Sequence, residues 1–524
     1  MIDEMAPEDN HKYFEDTQLE QSPTTFETNA KGVDAEVAQF FAEKSHGLEP
    51  PVIDEKTNAR LRWLIHKRSV MVITYFAQTL DKGTINFASI MGIREDAHLH
   101  GQQYAWLTTC VYIAILLWEF PTNRLLQRLP IAKYLGFNIA AWGVVLACTA
   151  VCKNFTGLVI VRTLLGIFEC VCQPASTMWY TREEQALVIG AFYSMNGFQQ
   201  CVGGLIAYGI AHVHHAQLKN WQILFTLLGC ITFVWGLFVL WWLPDSPIHA
   251  KCFTPEDRLL MAERVRKNDT GIQNKEFKMY QEVTSRPDEA LKDWAVWAIV
   301  LISFTNALPT GGLGAFSNII LTAFGFTQLQ TYLLAIAQGV IIMAFLFSAA
   351  YLSKRYNQRL LLAFIYTLPN VAGTIVFLCV QTSAKTKVGL LIAFYCTQGF
   401  GAVAVLNLAV MSGNIGGRTK QAVASSLVFI AWAVGNAIGP QVFQDKDGPR
   451  YVKAFVAHII VYGVQLVTIF LLRLHLMRQN VLKRRKQGLI ASKKSAEEME
   501  EDITHKHAFD DLTDKENPEF RYVY

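Results

Sequence analysis

Twelve apolar stretches of about twenty residues, the length a helix needs to cross the hydrocarbon core of a bilayer, constrain this chain more than any single residue does. The first six begin near Ser69, Tyr104, Ala132, Leu158, Ala186 and Trp221. The second six begin near Trp294, Thr331, Arg359, Lys387, Gln421 and Ala454, after a polar interval from Asp245 to Lys292. Two sets of six separated by one long loop are the pattern of two related halves. The expected fold is an all-α membrane protein with twelve transmembrane helices in two six-helix bundles. Its expected segments are a flexible N-terminal tail over 1–65, a bundle over 66–244, a central loop over 245–292, a second bundle over 293–477 and a tail over 478–524. The stretch after Lys483 is read as flexible too, because it is polar and charge-rich.

Composition agrees with a lipid environment. Of 524 residues, 52% are hydrophobic and 17% charged, too apolar for an ordinary soluble enzyme. The net charge of +4 is spread over short Lys and Arg clusters between the spans, which gives nucleic-acid binding no support. Cys110, Cys148, Cys170, Cys172, Cys201, Cys230, Cys379 and Cys396 fall inside apolar stretches and read as packing residues, not as a disulfide framework. No C-x-x-C, H-E-x-x-H or phosphate loop occurs, so neither an enzyme, a metal or cofactor protein, nor an ATP-driven pump is expected.

The basic clusters set an expected orientation, because Lys and Arg are retained on the cytoplasmic side. With the N-terminus inside, the inner segments carry Arg60, Arg62, Lys67 and Arg68, then Arg124, Arg128 and Lys133, then Lys354, Arg355 and Arg359. The central loop adds Arg264, Arg266 and Lys267. Arg94, Lys153 and Lys219 are single charges in outer loops, while Lys446, Arg450 and Lys453 run against the trend. Both termini and the central loop are therefore expected in the cytoplasm, and Lys483–Lys486 is expected to anchor the last span to anionic lipid. Asn154-Phe155-Thr156 is a formal glycosylation sequon that hugs the membrane and is expected to stay unused.

Charges at membrane depth are the chemical signal. Asp81 and Lys82 lie near the midpoint of the first span, where each ionisable group costs roughly 2.5 to 3.5 kcal/mol on insertion and persists by facing a polar cavity or a partner. Adjacent helix positions diverge by about 100 degrees, so the two are placed to meet other helices and not each other. The fourth span supplies Arg162 and Glu169, seven residues and almost two turns apart on one face. A cavity lined by these four has cations for a carboxylate and carboxylates for a proton. The plainer reading of such charges is an interhelical pair that fixes packing, but a buried pair is weak grounds for stability. Movement of Lys82 or Arg162 between partners would switch the proton affinity of a carboxylate.

At these residues the chain resembles the major facilitator superfamily, and within it the fungal allantoate permease branch of the anion:cation symporter family. The resemblance runs from about Arg62 to Arg478. It rests on Leu80-Asp81-Lys82 with Asn86, Trp118-Glu119-Phe120-Pro121-Thr122-Asn123, and Arg162-x-x-x-Gly166-x-x-Glu169 followed by Pro174. Leu243-Pro244-Asp245-Ser246-Pro247, the Gly311–Asn318 segment and the tail from Asp511 to Tyr522 extend it. It implies uptake by alternating access at the plasma membrane, with Asp81 and Glu169 in proton coupling and Lys82 and Arg162 engaging the anion. Two departures stand out: Lys82 replaces the more usual Arg and lacks its bidentate fork, and Ala114-Ile115 stands where many relatives have Gly-Tyr.

Other polar residues at membrane depth need hydrogen-bond partners. Gln199, Asn318 and Asn436 are assigned with Asn86 to the substrate pocket, and Gln200, Gln338, Gln398 and Asn407 to interhelical packing. Glu119 and Arg124 read as a gate or loop-anchoring ion pair, and Gly203-Gly204 and Gly435 to Gly439 as sites of close helix contact. The expected function is proton-coupled uptake of a small organic anion by a monomer in the lipid bilayer. An exporter exchanging a metabolite for protons and a non-transporting nutrient sensor are the alternatives. The sequence does not name the substrate.

Overall fold

The computed structural model describes residues 54–68, 70–172, 182–213, 217–244, 253–254, 256–258, 260–261, 287–486, 513–517 and 519–524. Pro174, Asp245, Ser246, Pro247, Arg264, Arg266, Lys267, Asp511, Leu512 and Pro518 lie outside the described residues. The chain forms two compact units, residues 1–62 with 246–276, and residues 63–245 with 277–524. In the smaller, Arg60 pairs with Asp257.

Helices make up the larger unit, and no strand occurs among the described residues. After α1 (Glu55–Arg68), the first bundle contains α2 (Met71–Ile90), α3 (Gln103–Arg128), α4 (Ile131–Cys148), α5 (Phe155–Glu169), α6 (Arg182–Ala211) and α7 (Asn220–Trp242). The second contains α8 (Trp294–Ala323), α9 (Gln328–Tyr356), α10 (Arg359–Cys379), α11 (Lys387–Cys396), α12 (Phe400–Asn414), α13 (Arg418–Val442) and α14 (Val452–Lys486). Among the described residues, nine helical stretches are long and apolar enough to cross a membrane. The three expected spans outside that set are α2, α5 and α6, and two of these carry the charges at membrane depth.

Lipid explains the surface. Trp241 is 78% exposed and Leu117 68%, which a soluble protein would tolerate only as a docking patch. Inside the bundles, packing has no hydrophobic drive relative to lipid and depends on close approach by small residues. A Cβ on Gly197 would lie 2.6 Å from the Gly339 carbonyl oxygen, so α6 and α9 cross backbone to backbone. Gly439 lies equally tight against α8 at Leu308.

The two halves repeat each other's packing. Contact of α2 with α6, α3 with α5 and α4 with α7 is answered by α8 with α13, α9 with α12 and α10 with α14. Contacts of α3 with α13, α6 with α9 and α2 with α8 join the halves. The fourth and tenth spans also share a break: a 3₁₀ turn at Cys170–Cys172 follows α5, and one at Thr397–Gly399 separates α11 from α12. Such interruptions expose backbone groups where a site needs them.

Two terminal expectations change. Helix α1 occupies the end of the expected 1–65 tail. Helix α14 continues to Lys486, past the expected boundary at 477, and residues 513–517 and 519–524 pack against the second half where a flexible tail is expected. Charge complementarity is the reason, because Asp514 reaches a buried lysine, Lys420.

Candidate functional site

The break after α5 places Glu169 at its last position, buried, with its backbone oxygen accepting from Gln78 Nε2 on α2 at 3.1 Å. Lys82 Nζ stands 3.6 Å from Glu169 Oε2. Asp81, one position back and turned away, accepts from Thr232 Oγ1 on α7 at 3.3 Å. Arg162 lies under Phe225 of α7, with its guanidinium carbon 5.1 Å from the ring centroid. Asp81, Arg162 and Glu169 are each at most 2% exposed, and Lys82 is part-exposed. Among the described residues, Arg162 Nε and Nη2 and both Glu169 carboxylate oxygens have no hydrogen-bond partner. The arrangement holds two cations and two carboxylates on α2 and α5, with open donors and open acceptors at once.

The remaining expected site residues divide. Gln199 on α6 packs against Gly83 of α2, beside the charged set, and its Oε1 has no partner. Asn86 and Asn318 are brought to each other. Asn86 Nδ2 donates to Ser317 Oγ at 2.6 Å, its Oδ1 accepts from the Asn318 amide at 3.1 Å, and Asn318 Nδ2 donates to the Asn86 carbonyl at 3.1 Å. Asn436 Nδ2 bonds its own helix at Trp432 O, and its backbone lies against Gly311. Glu119 is buried and Arg124 exposed five positions further along α3, so about 140 degrees of helix separate their directions.

Asn86 and Asn318 belong to a clasp between the halves at the end of the bundle where α2 finishes. Tyr104 Oη donates to Ala315 O at 2.7 Å, Thr109 Oγ1 to Ala437 O at 2.7 Å, and Arg94 pairs with Asp445 at 2.6 Å. Sequence reading missed this clasp; Asn86 and Asn318 carry the only hint, as lone amides near helix ends.

At the opposite end of the second half, the Lys420 side chain is fully buried and bound to Asp293 and Asp514, each at 2.6 Å, and to Glu289 at 3.2 Å. Asn480 and Asn414 hold the backbones of Tyr522 and Val523 with paired hydrogen bonds. A cavity of about 520 Å³ remains beside this segment, lined by Asp293, His475, Lys483, Asp514, Glu516 and Tyr522 among others. Burial pushes the Asp293 carboxyl up, but the hydrogen bond and charge of Lys420, with the charge of Lys515, outweigh it and hold the group below its usual range. Burial and then the Asp514 charge push the Tyr522 hydroxyl up. Sequence reading missed Lys420, whose signal is a lone lysine at the head of an apolar span. Asn154, read as an unused sequon, caps α5 by accepting from Gly157 N at 2.9 Å.

Known proteins agree with this architecture. Residues 71–440 match the model of the Major Facilitator Superfamily. The chain is 31% identical over 518 residues to the thiamine pathway transporter THI73 of Saccharomyces cerevisiae, covering 98% of this chain and 93% of that protein. It is 30% identical to the allantoate permease of the same yeast, covering 93% and 90%. A bacterial homologue of the human lysosomal transporter Spinster, solved inward-facing and occupied, superposes with a TM-score of 0.57 at 14% identity, over 78% of this chain and 96% of that one. These matches make the protein a multi-pass membrane transporter of small molecules and not an enzyme. The chain belongs to the Major Facilitator Superfamily, in the branch of its fungal relatives that includes allantoate permease.

Proposed function

We propose that the protein takes up a small organic anion together with protons, by alternating access, at the plasma membrane with both termini in the cytoplasm. The observation that carries this reading is the charged set of α2 and α5, in which the buried Arg162 keeps two donors open on the helix that ends in the unbonded carboxylate of Glu169. Open guanidinium donors at membrane depth suit a carboxylate, which accepts from them with charge-assisted bonds. Lys82 is the mobile partner, on a flexible stem and 3.6 Å from Glu169. When it turns to an incoming anion, Glu169 loses its counter-charge, and a proton is the smallest ion that restores neutrality. Asp81 is the second proton carrier, steadied by Thr232. Allantoate permease, among the relatives, is named for an organic anion of this class.

The basic clusters favour an orientation with the end of α2 outside. In that orientation the clasp of Asn86, Tyr104 and Thr109 lies on the outer side of the membrane and joins the two halves there. Uptake of radiolabelled organic acids into proteoliposomes, with and without an inward proton gradient, tests the reading. Gradient-driven accumulation of a carboxylate is the expected result. Accumulation indifferent to collapse of the gradient refutes the coupling, and a panel in which only neutral or cationic solutes move refutes the substrate class.

A further inference from the structure

Between Phe455 and Ile469 the inner face of α14 is polar, whereas further along it presents Leu472 and Leu476 to the core. His458, Tyr462 and Gln465 recur at the spacing of one helix face, and each is at most 1% exposed. Among the described residues, His458 Nε2, Tyr462 Oη and both amide atoms of Gln465 have no hydrogen-bond partner.

The neighbouring helices bring matching groups to the same depth. The rings of Phe377 on α10 and Phe455 on α14 lie 4.8 Å apart, and the helices run antiparallel. Seven residues from that pair in each helix are Asn370 and Tyr462, which therefore share a level. On α8, Phe316 meets Tyr451 at 5.7 Å and Trp294 meets His475 at 5.0 Å, so Asn306, ten residues from Phe316, lies at the level of Tyr462, eleven from Tyr451. Asn306 and Asn407 stitch α8 to α12 by donating to Phe400 O and Ile299 O, each at 3.1 Å. Asn370 accepts from the Gly399 amide at 3.0 Å. Each of these asparagines is thus held at one end of its amide and open at the other: Asn306 Oδ1, Asn407 Oδ1 and Asn370 Nδ2 are unbonded.

An unmade hydrogen bond in lipid-embedded protein is costly for every such group, and clusters of them mark an unseen bonding partner. The open groups choose its chemistry. Asn370 Nδ2 and Gln465 Nε2 donate, while Asn306 Oδ1 and Gln465 Oε1 accept. Tyr462 Oη acts either way, and His458 Nε2 does so according to its tautomer. An anion would leave the acceptors unmet and a cation would leave the donors unmet. None of these five residues is a carboxylate, lysine or arginine. Water, small and both donor and acceptor, answers the set.

We infer that the second half holds a cluster of ordered waters between α14 and the helices α8 and α10, bound by His458, Tyr462, Gln465, Asn306 and Asn370. This site is separate from the charged set, whose residues all belong to the first half, and it does not depend on the substrate proposed there. It gives the second bundle a solvated core, bridged by water where direct contacts are missing.

The test uses the full chain in lipid nanodiscs. Radiolytic hydroxyl labelling in ¹⁸O water modifies buried side chains that touch bound water. Labelling of Tyr462 well above that of Phe394, a fully buried ring of the same half, is the expected result. Labelling of Tyr462 no faster than Phe394 overturns the proposal. Tyr462→Phe is the second arm: loss of a water bridge lowers Tm by about 2 °C or more. An unchanged or raised Tm overturns the proposal as well, because removal of a dry, unbonded hydroxyl would relieve a penalty. Should the variant fail to fold, the labelling of the unaltered chain still decides.

Discussion

Lys82 Nζ on α2 stands 3.6 Å from Glu169 Oε2 at the end of α5, close enough for an ion pair and too far for a good hydrogen bond. The pair is asymmetric, since Glu169 is wholly buried while Lys82 keeps part of its side chain exposed. The lysine can leave; the glutamate cannot.

Glu169→Gln keeps the size of the side chain and removes its charge. Proton-driven accumulation is expected to fall to the level of simple equilibration, whereas counterflow exchange of substrate is expected to continue. Measured in proteoliposomes, an unaltered pH dependence of uptake would exclude Glu169 from coupling.

Arg162→Ala removes the cation whose Nε and Nη2 stand open. Truncating one partner of a buried charge pair costs about 2 kcal/mol or more, which reads as a KM about thirtyfold higher for a carboxylate substrate. Arg162→Lys restores the charge without the fork and is expected to recover only part of the affinity. Equal KM values for all three proteins would remove Arg162 from the binding site.

Asp514→Ala leaves Lys420 with Asp293 and Glu289. A wholly uncompensated buried charge costs about 3 to 5 kcal/mol, and the remaining partners hold the loss below that. The expected outcome is a lowered thermal midpoint of the purified protein. Removal of residues 513–524 should lower it further, because the bonds of Asn414 and Asn480 to Val523 and Tyr522 go as well.

Acid should act through Asp293. Its carboxyl titrates below its unfolded value despite burial, owing to Lys420 and Lys515. A depressed folded pKa contributes stability that is present above the unfolded value, 3.8, and disappears as pH falls through the folded one. Wild type is therefore expected to hold this contribution at neutral pH and lose it below about pH 4. Asp293→Asn should flatten that part of the curve of Tm against pH, and a curve parallel to wild type would contradict the assignment.

Much of this molecule is legible in its sequence because the bilayer imposes a length on every span. Helices α3, α4 and α7 to α14 announce themselves by apolar runs, and Asp81, Lys82, Arg162 and Glu169 by standing out within them. What is not legible depends on residues distant in the chain. Lys420 meets Asp293 and Asp514 across 127 and 94 positions, and no local pattern predicts such a meeting. For that reason a polar, charged stretch reads as a flexible tail although part of it is docked. Asn86 and Asn318, 232 positions apart, are likewise placed by the approach of the two halves. The polar face of α14 was within reach, since His458, Tyr462 and Gln465 repeat at helical spacing.

The Lys420 cluster also sets an order of events during synthesis. Asp514 leaves the ribosome 94 residues after the lysine it neutralises, a delay of about 5 to 20 s at ordinary elongation rates. Through that interval the nascent second bundle has only Glu289 and Asp293, both translated earlier, to shelter the ammonium group. A message broken after the codon for Lys486 and before that for Asp514 would yield a chain with every span in place and Lys420 short of one of its three counter-ions.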